Sequence, residues 1–306
     1  MSKKRNFLIV VVGPTAIGKT ALSIKIANHF KSDIISADSR QFYKEMRIGT
    51  AVPETDELNA AKHHFIQNRS IFEDYNVGDF EVDALKCLQS LFREHNIQVM
   101  VGGSGLYVNA VVNGLDNFPK VDGEIRKELN EKLASEGLES LQNQLKELDE
   151  TSYHEIAIDN PQRLIRALEI CVGTNQPYSS FKTNSKKERD FETIKIGLTA
   201  DREIIYERIN RRVDLMVQNG LIEEAKALVP HKSLNALQTV GYRELFEYFE
   251  GDIDKEFAIS EIKKNTRRFA KRQLTWFRKD EDINWFDFQT PFDEISALID
   301  AKINAF

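Results

Sequence analysis

Cysteine is nearly missing from this chain: Cys87 and Cys171 are the only two in 306 residues. Two thiols cannot build a disulfide framework or fill a four-ligand zinc site. Both fall within helical patterns and are expected to pack in the core. No apolar run approaches the ~20 residues that a membrane helix requires. The basic start, MSKKRN, is followed by FLIVVV, which runs straight into a Gly-Pro turn instead of a cleavage site. A buried strand is expected there, not a signal peptide, and the cytoplasm is the expected compartment. An excess of positive charge is also missing. The 42 Lys and Arg stand against 48 Asp and Glu, a formal net charge of −6, and that total speaks against a nucleic-acid partner. There is no internal repeat and no low-complexity tract. Two motifs are absent as well: N-K-x-D, with which a GTPase reads guanine, and D-D-x-x-D, with which isoprenoid synthases hold diphosphate.

What is present is an ordinary globular composition, 41% hydrophobic and 29% charged, long enough for a large domain with an inserted lobe. Strand, Gly-rich turn, helix and strand follow one another. FLIVVV is strand one, TALSIKIANHF its helix and DIISAD strand two. DFEVDALKCLQSLFREHN has helical spacing, IQVMVGG is a third buried strand, and TIKIGLTA (193–200) a fourth. That order predicts an α/β fold: a P-loop NTPase-like core with a mainly parallel sheet flanked by helices. From about Val121 to Ser185 the texture is different. DGEIRKELNEKLASEG, LESLQNQLKELDE and NPQRLIRALEICVG read as three helices, the first stopped by Gly137 and the last by Gly173, with no strand between them. The expected division is a core of 1–120 and 186–306 with an all-helical insertion, 121–185.

GPTAIGKT (Gly13, Pro14, Thr15, Ala16, Ile17, Gly18, Lys19, Thr20) matches G-x-x-x-x-G-K-[ST] between a predicted strand and a predicted helix. Backbone N–H groups there surround a polyphosphate, Lys19 supplies a point charge, and the Thr20 hydroxyl is placed for Mg²⁺. The motif does not say which molecule carries the phosphate. Asp38 ends strand two at the mouth of the same crevice. Its carboxylate suits a water-mediated Mg²⁺ contact, a helix cap or a general base. Strand three ends in MVGGSGLY with no acidic residue. Gly102, Gly103 and Gly105 allow close backbone approach or a tight turn, and Ser104 offers a hydroxyl. Arg208, Arg211 and Arg212 lie on one helical stretch, and one of them folded over the phosphate site would stabilise a leaving pyrophosphate. KKNTRRFAKRQLTWFRK, from Lys263 to Lys279, holds eight basic residues and no acid. Phe269, Leu274, Trp276 and Phe277 are expected to pack on the core and leave a cationic face for an anionic partner. His63 and His64 have no partners at ligand spacing and read as structural.

Taken together, GPTAIGKTALSI, DIISADSRQFYKEMRIGTA, VGGSGLYVNAV, DNPQRLIRALEI, QTVGYRELFEYFEGD and TRRFAKRQLTWFRKD resemble the tRNA dimethylallyltransferases (tRNA isopentenyltransferases) of bacterial type over nearly the whole chain. The resemblance implies that the P-loop holds the diphosphate of dimethylallyl diphosphate, and that the acceptor is N6 of the adenosine 3′ of the anticodon (position 37) in tRNA. It also implies the roles. Asp38 orients the amine and takes its proton. Thr15, Lys19 and Arg212, with Thr20 and Mg²⁺, stabilise the leaving diphosphate. The anticodon stem-loop meets Asp38, Ser39, Arg40, Gln41, Ser104, Arg126, Gln162, Arg163, Leu164, Ile165 and Arg166, and the basic face adds Arg268, Lys271 and Arg272. Ser104 stands where many relatives have Thr, and the zinc finger of eukaryotic relatives is not seen. A monomer is expected. The competing readings are a P-loop nucleoside or metabolite kinase, which would turn over ATP, and a prenyltransferase of free adenylate, which would need neither the insertion nor the basic face.

Overall fold

The computed structural model describes residues 5–183 and 185–305. Along the chain they form β1 (Phe7–Val12), α1 (Lys19–Phe30), β2 (Ile34–Ser36), α2 (Thr55–Ala60), β3 (His63–His64), α3 (Val77–Leu91), β4 (Ile97–Val101) and α4 (Gly105–Asn113). Next come α5 (Gly123–Glu136), α6 (Leu138–Leu148), α7 (Glu150–Glu155) and α8 (Pro161–Thr174). The chain ends in β5 (Glu192–Thr199), α9 (Arg202–Gln218), α10 (Leu221–Leu228), α11 (Arg243–Glu250), α12 (Lys255–Phe277), β6 (Ile283–Asp287) and α13 (Phe292–Asn304). Two compact units result, Met1–Val112 with Arg189–Phe306, and Asn113–Glu188.

In the larger unit six strands form one sheet in the order β3-β2-β4-β1-β5-β6, and every pair is parallel. All six residues of β1 are buried, as a strand covered on both faces demands. Phe7, Ile9 and Val11 enter one apolar cluster with Ile26, Ile194 and Ile209. Leu8, Val10 and Val12 enter another with Phe42, Phe80 and Met100. Each such side chain contributes about 1.5–3 kcal/mol on burial. The chain leaves β1 for α1 and returns in β2 on the far side of β4, so the crevice of this α/β sheet opens at the carboxyl ends of β1 and β4. A third cluster, containing Val213, Leu221, Leu237, Tyr242 and Ile262, joins α9–α12 to the segment after β2.

Two edge strands escape sequence reading: β3 is two histidines long and β6 is the short INWFD. His64 Nε2 lies 2.7 Å from Asp33 Oδ2, and His63 Nδ1 2.8 Å from the Ala61 carbonyl, structural uses for both rings. Cys171 is buried, while Cys87 is half-buried against the core.

The smaller unit packs α5, α6 and α8 around Leu129, Leu141, Leu145, Leu164, Ile165, Leu168 and Cys171. Asp122 and Asn160 cap α5 and α8. The segment expected as one helix after Gly137 breaks at Asp149. Its carboxylate accepts from the backbone N–H and hydroxyl of both Ser152 and Ser179 and so starts α7 afresh. Gly173 lies inside α8, not past its end, and Asn175 in the left-handed region closes the helix. A β-carbon on Gly173 would stand 2.5 Å from Val121, so this glycine serves packing. The unit begins at 113, not 121, because Lys187 N–H donates to the Asn113 carbonyl (2.8 Å) and Thr183 to Asp116 (2.7 Å).

Candidate active site

α1 begins at Lys19 with no acidic residue in its first turn and no side-chain cap, with Gly18 left-handed before it. Its first N–H groups and the positive end of its dipole are left for an anion. Three cations are tied to the loop around that end. Lys19 Nζ donates to the Pro14 carbonyl (2.8 Å). Arg208 Nε donates to the Ala16 carbonyl (2.7 Å), and Arg212 Nη1 to the Thr15 hydroxyl (3.3 Å). Burial and the neighbouring Arg212 push Lys19 from 10.5 down to about 7, against a smaller upward pull from Asp38. Burial and Arg208 also lower Arg212.

These residues line a cavity of about 760 Å³ that runs over the loop, Asp38, Thr50 and Gly103. A second cavity, of about 540 Å³, is edged by Ser39, Arg40, Ser104, Tyr107, Arg272 and Trp276. Thr15, Asp38, Gly103, Arg212, Phe269 and Gln273 line both. A carboxylate, a hydroxyl and a guanidinium therefore stand where an anion chamber meets an aromatic-edged one. That arrangement suits displacement of an anionic leaving group from one side by a nucleophile from the other.

Beside Asp38, Oδ1 accepts from Arg40 N–H (3.1 Å), and the Ser104 hydroxyl accepts from Ser39 N–H (3.1 Å) and donates to the Ser39 hydroxyl. Arg40 Nη1 holds the Asn235 and Ala236 carbonyls. Gln41 Nε2 donates to the Thr50 and Ala51 carbonyls, and its Oε1 accepts from Ser36. The loop that carries Thr50 is held from its other side as well. Glu224 accepts from the backbone N–H of Arg47, Ile48 and Gly49 and from the Tyr242 hydroxyl.

On α12, Ala270, Gln273 and Phe277 face inward. Arg268, Lys271 and Arg272 are exposed, with Arg272 5.7 Å above the Phe269 ring. Phe269 and Trp276 correct the expectation of core packing. They are 38% and 43% exposed, because the helical period that turns 270, 273 and 277 inward turns 269 and 276 toward the second cavity. The cationic face is also smaller than its eight residues suggest. Lys263 pairs with Asp214 and Lys264 with Glu261, while Arg267 donates to Asn210.

In the smaller unit Arg126 Nε and Arg166 Nη1 share Glu169 Oε2, at 3.4 and 3.0 Å. Gln162 and Arg163 are exposed in the first turn of α8. Leu164 and Ile165 are buried in the unit's core, at 0% and 4% exposure, so their side chains, expected at an RNA surface, are instead taken up in packing.

Among the described residues no group of three or more His, Cys, Asp or Glu is arranged to hold a metal ion. Thr20 and Asp38, both oxygen donors, line the larger cavity. That sparse, hard set fits Mg²⁺ shared with phosphate oxygens. No helix among the described residues is long and apolar enough to cross a membrane.

Gln273 was not singled out by sequence. Its Oε1 accepts from Thr15 N–H (2.8 Å) and its Nε2 donates to the Gly103 carbonyl (2.9 Å). The available signal was a neutral polar residue at an inward position of a basic helix, three residues after Ala270 and four before Phe277.

A family model described as IPP transferase matches residues 41–280. The chain is 62% identical to a tRNA dimethylallyltransferase of Christiangramia forsetii, over 98% of this chain and 99% of that protein. The full-length tRNA isopentenylpyrophosphate transferase of Bacillus halodurans is similar in structure, with TM-score 0.73 and 37% identity, covering 99% of this chain and 98% of that one. A eukaryotic dimethylallyltransferase captured acting on tRNA is also similar, with TM-score 0.79 and 26% identity over 93% of this chain and 74% of that one.

Proposed function

Because the chain belongs to the IPP transferase family, we propose that it transfers a dimethylallyl group from dimethylallyl diphosphate to N6 of the adenosine next to the anticodon, on its 3′ side, in tRNA, and releases diphosphate. The observation that carries this reading is the pair of cavities that share Thr15, Asp38 and Arg212. The loop chamber takes the diphosphate, and the aromatic-edged chamber takes a base drawn out of its stack at a cost of a few kcal/mol.

The amine lone pair forms the new C–N bond as the allylic C–O bond breaks. The N6 proton passes to Asp38, and the bonding pair leaves with the diphosphate. Negative charge grows on the departing oxygens, where Lys19, Arg212 and the Thr15 hydroxyl are already anchored. A lysine brought down to about 7 regains its proton as the anion arrives. Mg²⁺, when bound through Thr20, supplies further charge neutralisation. Ser39, Arg40 and Ser104 meet the RNA beside Asp38, with Gln41 holding the loop behind them. Arg126, Gln162, Arg163 and Arg166 meet it from the helical unit, and Arg268, Lys271 and Arg272 from α12. The chain acts as a monomer in the cytoplasm.

The test is incubation with Mg²⁺, dimethylallyl diphosphate and an anticodon stem-loop with AAA 3′ of the anticodon. Mass spectrometry should show one added C5H8 unit without ATP. Asp38→Ala should nearly abolish transfer while RNA affinity stays within about threefold, since a general base contributes to kcat rather than to docking. Near-normal rates in that variant overturn the role of Asp38, and transfer of a nucleotide's terminal phosphate instead overturns the reading.

A further inference from the structure

Gln273 lies in the wall common to both cavities and is 6% exposed. It spans two neighbouring strand ends, since Thr15 follows β1 and Gly103 follows β4. Its carrier is a 23-residue helix fixed by buried Ala270 and Phe277 on either side. One end of the amide must accept and the other must donate, so no carboxylate or apolar side chain of the same length makes both bonds. Space for it is made by a glycine. A β-carbon on Gly103 would stand 2.2 Å from Gln273 Nε2, although Gly103 is not among the positive-φ glycines and its backbone is open to alanine.

Thr15 is the residue on which the cation geometry depends. Its hydroxyl accepts from Arg212, and the preceding Pro14 carbonyl holds Lys19. A shift of Thr15 therefore moves both cations together.

We propose that Gln273 is a positioning residue for the transfer reaction: a strut between the phosphate loop and the glycine turn that aims Arg212 and Lys19 at the departing diphosphate. The proposal deepens the function proposed above and rests on it for its catalytic consequence. The position of the cradle itself can be read without any transfer.

The experiment is a double-mutant cycle of Gln273→Ala and Gly103→Ala, with Gln273→Met as a variant that keeps the side-chain length. Each single change should lower kcat between about 10- and 100-fold, the loss that a displacement near 1 Å produces. KM for the RNA should stay within about threefold. The double variant should be no worse than Gln273→Ala, because both changes remove the same strut. Binding of inorganic pyrophosphate, measured by calorimetry at pH 7, should weaken in the same non-additive pattern. Thermal melts identify folded variants, and if Gln273→Ala does not fold, Gln273→Met takes its place in the cycle. Losses that multiply in the double variant, a Gln273→Met within threefold of wild type in both kcat and pyrophosphate affinity, or an effect on the KM for RNA alone would each overturn the proposal. A wild-type protein that adds no C5H8 unit to RNA while the pyrophosphate cycle remains non-additive sinks the proposed function and leaves the strut standing.

Discussion

Two sets of three cations serve the larger unit in opposite ways. Lys19, Arg208 and Arg212 each donate to an oxygen of residues 14–16, line one chamber and lie close enough for Arg212 to depress Lys19. Arg268, Lys271 and Arg272 stand in solvent on α12, and no ion pair among the described residues engages them. The first set is held before any ligand arrives, so it does not reorganise when charge develops. In the proposed function the second set gains its binding energy by releasing counterions from RNA. The difference shows why a net charge of −6 says little about local chemistry: both sets of cations are local, and neither is visible in the total.

Breaking the first set should have the largest effect. Arg212→Ala should lower kcat about 10²–10³-fold, as loss of a preorganised oxyanion donor does, with RNA affinity little changed in a filter-binding assay. Next comes the second set. The triple change of Arg268, Lys271 and Arg272 to Ala should weaken RNA binding and reduce the slope of log affinity against log salt by about 2, with single-turnover kcat within about twofold. Fluorescence anisotropy between low and moderate salt measures both.

A pH series sharpens the comparison further. In the empty cradle Lys19 titrates near 7 instead of 10.5, and a bound diphosphate favours its charged form. Binding therefore takes up a proton between pH 7 and the higher value reached in the complex. Pyrophosphate affinity should fall as pH rises through that window, by up to about tenfold per unit, and RNA affinity should not follow it. Lys19→Arg, charged throughout, should flatten the curve. The smallest effect is expected from Arg126→Ala, about threefold in RNA affinity, the size of one phosphate contact, because Arg166 remains on Glu169.

Much of this was legible because it is written locally. The strand-turn-helix around Gly13–Thr20 and the apolar alternation of β1 need only neighbours in sequence, as do the helices of the small unit. The α/β core follows from their order. What was missed depends on residues far apart in the chain. Gln273 matters because it reaches Thr15, 258 positions away. Trp276 looked like core until the register of α12 turned it outward. Leu164 and Ile165 fell inside a motif treated as one contact strip, yet on a helix neighbouring positions point in different directions, and these two point into the packing. β3 is too short for any period to reveal, and β6, as long as β4, breaks its apolar run with Asn284 and Asp287.

The loop of Arg47, Ile48 and Gly49 offers three consecutive amides, which by themselves would make a second anion nest on the edge of the reaction space. Glu224 fills that nest with a carboxylate of the chain's own. An anion approaching this edge meets amides already taken, whereas those at the start of α1, which no side chain caps, stay open to it.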